Sequence, residues 1–109
     1  MHELSVARRL VESVATHAGD AHVVRVVVHV GKLSSVVPAA IVQCFAACIE
    51  GTRLEGAALE VVEVEGRARC RACGATSEAT DLLPVCACGS VDLEIVSGRD
   101  LLLAEIEVN

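Results

Sequence analysis

Apolar residues recur at three- and four-residue spacing near the start of the chain: Leu4, Ala7, Leu10, Val11, Val14, Ala15 and Ala18. Glu3, Arg8, Arg9, Glu12, Ser13, Thr16 and His17 fall between them. This period predicts an amphipathic helix over residues 3–18, ended by Gly19-Asp20. Over 22–30 the pattern changes to β-branched alternation. Val24, Val26, Val28 and Val30 fall on one face, and Val23, Arg25, Val27 and His29 on the other. That is the signature of a strand inside a sheet covered on one side. Pro38 suits the first turn of a second helix, which runs to about Glu50 with Ala40, Ile41, Cys44, Phe45 and Cys48 inward. Two more strands are predicted. Residues 58–65 set Val62 and Val64 opposite Glu63 and Glu65; residues 101–108 set Leu102, Ala104, Ile106 and Val108 against Glu105 and Glu107.

Between these strands, residues 67–90 show little periodicity. A short strand over 91–96 leaves them, and Ser97-Gly98-Arg99-Asp100 is a turn. The expected fold is therefore α/β (α+β): a small three-stranded sheet with two helices, plus an inserted zinc-ribbon-like four-cysteine domain. The α/β domain comprises residues 1–66 and 98–109 and the insertion 67–97, with Ser97-Gly98 a candidate hinge between them.

Composition narrows the function. Of 109 residues 53% are hydrophobic, which excludes disorder. The apolar mass is mostly Val (19) and Ala (16), and the one aromatic is Phe45, so no stacking platform for bases can be built. A net charge of −6 opposes a phosphate-backbone partner. Arg67, Arg69, Arg71 and Lys32 make a local basic cluster that reads first as a solvated strand edge; a zinc-ribbon nucleic-acid or protein-interaction module is the alternative. The apolar run Val23–Val30 carries Arg25 and His29 and is too short to span a bilayer. With no targeting signal legible, a cytoplasmic protein without a membrane partner is expected.

Reduced cytosolic thiols direct the six cysteines toward metal or catalysis. Cys70 and Cys73 are spaced C-x2-C; Cys86 and Cys88 follow twelve residues later as C-x-C, each pair trailed by a glycine, Gly74 or Gly89. Two thiolate pairs on tight turns are the framework of a structural zinc site. The shortened second pair leaves Cys86 as the least regular ligand, since Val85 stands where the usual spacing would put a cysteine. A thiol redox protein using Cys70 and Cys73 is the competing reading. Cys44 and Cys48, one helical turn apart beside Phe45, read as core. No Ser-His-Asp arrangement, phosphate loop or carboxylate pair stands out, so no enzyme is expected.

Met1-His2-Glu3 places an α-amine, amide nitrogens and an imidazole side by side, a set able to form chelate rings around Ni(II) or Cu(II). Taken alone, His2 reads first as a solvated residue and Glu3 as an acidic residue in a helix's first turn. Met1-His2-Glu3-Leu4-Ser5, Gly31-Lys32-Leu33-Ser34 with Pro38, the cysteine module, Gly89-Ser90 and Ser97-Gly98 together resemble the HypA family of hydrogenase nickel-incorporation proteins, over essentially the whole chain. The resemblance implies a nickel metallochaperone. Ni(II) cargo would be held by the Met1 amine, the His2 imidazole and the His2 and Glu3 backbone nitrogens, and structural Zn(II) by Cys70, Cys73, Cys86 and Cys88. It also implies a nickel-binding, HypB-like GTPase partner, the hydrogenase large subunit as recipient, urease maturation proteins for some members, and leaves a homodimer open.

Overall fold

A computed structural model describes residues 3–109; Met1 and His2 lie outside the described residues. The element order is α1 (Glu3–Ala18), β1 (Val23–Gly31), α2 (Pro38–Ile49), β2 (Ala58–Val64), β3 (Arg67–Cys70), β4 (Thr76–Glu78), β5 (Leu93–Ser97) and β6 (Leu101–Val108). One sheet has the order β2-β1-β6, with β2 parallel and β6 antiparallel to β1. The parallel pair is made possible by α2, which carries the chain back between β1 and β2. A second sheet, β4-β3-β5, is antiparallel throughout and lies wholly within 67–97. This is the two-helix, small-sheet α+β fold that the periodicity predicts, with strands β3 and β4 that it does not.

Both helices and the first sheet share one core. Ala7, Leu10 and Val14 of α1 meet Ile41, Phe45 and Ile49 of α2 over Val23, Val26, Val28 and Val30 of β1. Cys44 and Cys48 are half-buried against this cluster, as a core role requires. Leu4, by contrast, is 44% exposed, so the inward stripe of α1 starts at Ala7.

Two bulges correct the predicted strand faces. Between Val23 and Arg25 the β1–β6 register advances by one residue on β6. The extra residue, Val24, is half-buried, and Val23 takes its place in the core. Between Val27 and Val28 the reverse occurs: Glu105 and Leu103 are their partners, and Ala104 is the extra residue. Strict alternation is lost across a bulge. Leu101, Leu103 and Ile106 therefore pack on the core, while Leu102 is 60% exposed. On β2 the core-facing residues are Leu59 and Val61, and Val62 lies on the open side with His29 opposite.

Where the two sheets meet, backbone packs on backbone. A Cβ on Gly31 would lie 2.1 Å from the Gly98 carbonyl oxygen, and one on Gly98 (φ +82°) 2.5 Å from that of Glu65. Leu33 N–H donates to Gly98 O at 2.8 Å, and Ser97 Oγ–H to Glu65 O at 3.1 Å. At the candidate hinge Ser97-Gly98, then, Gly98 is buried and both residues are hydrogen-bonded across the junction. Ser35, in the β1–α2 connection, has φ +66°, a left-handed conformation unusual for a non-glycine residue.

Two stability outcomes follow. Phe45→Ala removes the largest fully buried side chain and should cost about 3–5 kcal/mol in urea unfolding. Ser35→Gly relieves the positive φ and should leave stability unchanged or raise it by up to ~1 kcal/mol; a clear loss would mean that the serine side chain outweighs the backbone cost.

Candidate metal centre

The segment 67–97 has almost no apolar interior: its buried residues are Ala68, Cys70, Ala79 and Cys86. Cys70 ends β3, Cys73 lies in the turn that follows, and Cys86 and Cys88 lie in the loop before β5. The fold brings all four together. Cys70 Sγ is 3.7 Å from Cys88 Sγ, Cys73 Sγ is 3.6 Å from Cys86 Sγ, and all four sulfurs lie within 4.8 Å of one another. Zinc at about 2.3 Å from each of four tetrahedral sulfurs requires sulfur–sulfur separations of about 3.8 Å. The sulfur set fits zinc, and four thiolates would close its coordination shell. Among the described residues this is the one cluster of three or more such ligands.

The irregular C-x-C pair has a simple geometry. In the first turn, Gly74 N–H donates to Cys70 O and Cys70 N–H to Ala75 O. In the second, Gly89 N–H donates to Cys86 O and Cys86 N–H to Ser90 O. The same two bonds close both loops, the second being one residue shorter. Gly74 (φ +79°) and Gly89 (φ +91°) supply the left-handed residue in each. Cys86 therefore reaches the cluster as well as the others do, and is buried.

The backbone also prepares the sulfurs. The N–H of Cys73 points at Cys70 Sγ, 3.5 Å away. This donor, aided by that of Ala72, holds the Cys70 thiol down at about 6 against the opposing effect of burial. The Ala75 N–H acts the same way on Cys73, but the neighbouring Cys86 and Cys70 sulfurs and burial outweigh it and push Cys73 up. Crowded thiols cannot all ionise without a cation, and a cation in their midst is what the geometry suits.

The basic cluster is interleaved with carboxylates. Arg71 pairs with Asp92 at 3.0 Å and Lys32 with Glu65 at 2.6 Å; Arg67 lies opposite Glu78 and Arg69 opposite Glu94 in the β-ladders. Such a surface offers little uncompensated charge to a phosphate backbone. No helix of the described residues is long and apolar enough to cross a membrane.

The N-terminal candidates are only partly in view. Met1 and His2 are outside the described residues. Glu3 opens α1, and its Oε2 accepts a hydrogen bond from Val37 N–H at 3.4 Å. Val37 is the N-cap of α2 and brings no side-chain cap of its own. The carboxylate of Glu3 thus sits at the positive end of the second helix, not only in the first turn of its own. Nothing in the spacing signals this contact, because 34 residues separate the partners.

Purified protein should carry one zinc per chain, with Cys44 and Cys48 the two thiols open to titration; Cys86→Ala should lose the metal. Chelation should remove amide-exchange protection from 67–97 while the helices keep theirs, since zinc supplies roughly 10–16 kcal/mol to such a module. Retained protection in metal-free protein would refute this. Without metal, the backbone stabilisation of ionised Cys70 is complete only above the ordinary thiol value of 9.0 and is lost progressively as pH falls to about 6. Protons compete with zinc for all four thiolates, so zinc release to a chromophoric chelator should increase on acidification.

Comparison with known proteins places the chain. The family model described as "Hydrogenase/urease nickel incorporation, metallochaperone, hypA" matches residues 1–108. The hydrogenase maturation factor HypA of Trichormus variabilis is 45% identical over 108 residues, covering 99% of this chain and 96% of its own length. That of Geobacter metallireducens is 41% identical over 109 residues, covering 99% of each. The solution structure of the Ni metallochaperone HypA from Helicobacter pylori superimposes with a TM-score of 0.74 at 29% identity, covering 99% of this chain and 97% of that one. An α+β chain with a four-cysteine cluster, matched from its first residue to its last strand by these proteins, belongs to the HypA family of hydrogenase maturation factors.

Proposed function

We propose that this protein is a nickel metallochaperone that takes up Ni(II) at its N-terminus and hands it on during [NiFe] hydrogenase maturation. The observation that carries the reading is family membership extending from residue 1. The Met1 amine, the His2 imidazole and the backbone nitrogens of His2 and Glu3 are the nickel donors. Residues 1–66 and 98–109 form the nickel-binding domain; residues 67–97 form the zinc-binding domain, whose Cys70, Cys73, Cys86 and Cys88 hold Zn(II) structurally. The protein is not an enzyme and acts in the cytoplasm. Its partners are a HypB-like nickel-binding GTPase and the hydrogenase large subunit, with urease maturation proteins a further destination.

The chemistry suits a carrier. Amine and imidazole donors, with reference pKa values of about 7.7–8.0 and 6.5, are contested by protons near neutral pH, so nickel is held reversibly. Nitrogen donors in short chelate rings favour Ni(II) in a square-planar field. A closed thiolate tetrahedron, in contrast, has no vacant position for a metal in transit.

Nickel titration of the untagged, zinc-loaded protein beside His2→Ala tests this. One Ni(II) site should be lost in the variant with zinc content unchanged, and an N-terminal tag should weaken binding by blocking the amine. Unchanged nickel affinity in His2→Ala would remove His2 from the site. Acidification from pH 8 to 6 should weaken nickel binding as both donors are protonated.

A further inference from the structure

The connection from β1 to α2, residues 31–37, touches both the start of the chain and the cysteine module. At its far end, Val37 N–H donates to the Glu3 carboxylate. At its near end, Gly31 N–H donates to Asp100 O, Lys32 N–H to Val64 O and Leu33 N–H to Gly98 O, all at 2.8–2.9 Å. The Leu33 side chain lies on Gly66, where a Cβ would come within 2.7 Å of its Cδ1 and 2.4 Å of Ala79 O. Ala79 N–H in turn donates to Gly66 O at 2.8 Å. Beyond this contact, Leu33 and Ser35 face Thr80–Leu83, the loop leading into Cys86, across an open hollow.

The connection is also stiff. Ser34 Oγ–H donates to Gly31 O at 2.7 Å, and Val36 N–H donates to Ser34 Oγ at 3.3 Å. Ser35 is held at φ +66° between them, and Val36 is buried in the core. A short segment so fixed can transmit a displacement at Leu33 to Val37 instead of absorbing it.

We propose that Glu3 and Leu33 are positioning residues for metal binding at the N-terminus. Leu33 seats the 31–37 connection on the root of the cysteine module, and Val37, at its other end, anchors Glu3, whose backbone nitrogen is among the proposed nickel donors. Glu3 then acts through the hydrogen bond its carboxylate accepts, separately from its backbone nitrogen. The inference rests on the N-terminal nickel reading, and it gives the bridged module an influence on nickel without a shared ligand.

The test uses the full, untagged, zinc-loaded chain and Ni(II) itself. Leu33→Ala should keep one zinc and its helical circular dichroism, speed amide exchange at Val37, and weaken nickel binding by at least about 5-fold, the lower end of ordinary site–site coupling. Glu3→Ala should weaken nickel comparably, whereas Glu3→Gln, which keeps an acceptor for Val37 N–H, should restore most of the affinity. The double variant Leu33→Ala/Glu3→Ala should lose less than the product of the two single losses, because both act along one route. Wild-type nickel affinity in Leu33→Ala, or equal losses in Glu3→Ala and Glu3→Gln, would overturn the proposal. If His2→Ala left nickel binding intact, the N-terminal reading would fall by itself. Val37 exchange would then decide whether Leu33 seats the connection.

Discussion

Three stretches of backbone meet in direct contact at the waist of this molecule. Gly31 ends β1, Glu65-Gly66 leads from β2 into β3, and Gly98 leads from β5 into β6. Both covalent links between the two sheets therefore pass through the place where the central strand of the first sheet stops. Because the chains approach this closely, their polar groups satisfy one another: Gly31 with Asp100, Lys32 with Val64, Leu33 with Gly98. An alanine at Gly31 or Gly98 would force the backbones apart and strand buried donors and acceptors, which costs more than the missing contact itself.

On either side of this waist, order has different physical sources. The larger side is held by apolar burial: two helices press Phe45, Ile41, Leu10 and Val14 onto the valines of β1. The smaller side buries two alanines and two cysteines, far too little apolar area to offset the entropy of some thirty residues. Its antiparallel ladders and knuckle hydrogen bonds define where the sulfurs go, but they are secondary to whatever binds those sulfurs. The contrast explains why β3 and β4 can be so short and polar: their task is to aim Cys70 and Cys73, not to form a core.

Much of this was legible from the chain. The helices stand out because Ala, Leu and Val repeat with the helical period over three or more turns, and the sulfur cluster stands out because thiolate pairs followed by glycine have few other uses. What was hidden depends on contacts remote in sequence. The bulges at Val24 and Ala104 arise from pairing between β1 and β6, so an alternating pattern in either strand alone assigns the wrong inward face. Strands β3 and β4 carry Arg, Ala, Thr and Ser, whose small alternation Arg67-Ala68-Arg69-Cys70 is visible only once Ala68 and Cys70 are known to be buried. The C-x-C spacing looked irregular because spacing counts residues, whereas the loop is defined by its two closing hydrogen bonds. Glu3 reads as a helix-start acid in sequence; its service to the second helix exists only in three dimensions.

The two metal readings assign different chemistry to the two ends of the molecule, and the fold makes that division workable. A four-thiolate site fixes its ion by geometry and charge and exchanges it reluctantly, which suits a structural part. Nitrogen donors at the start of the chain can be approached by an acceptor and are contested by protons, which suits a carrier. Joined by a flexible tether, such sites would be independent. Here paired backbones and a seven-residue connection with its own internal hydrogen bonds run from the cysteine module to the segment that holds Glu3, which is the physical continuity that the proposed coupling needs.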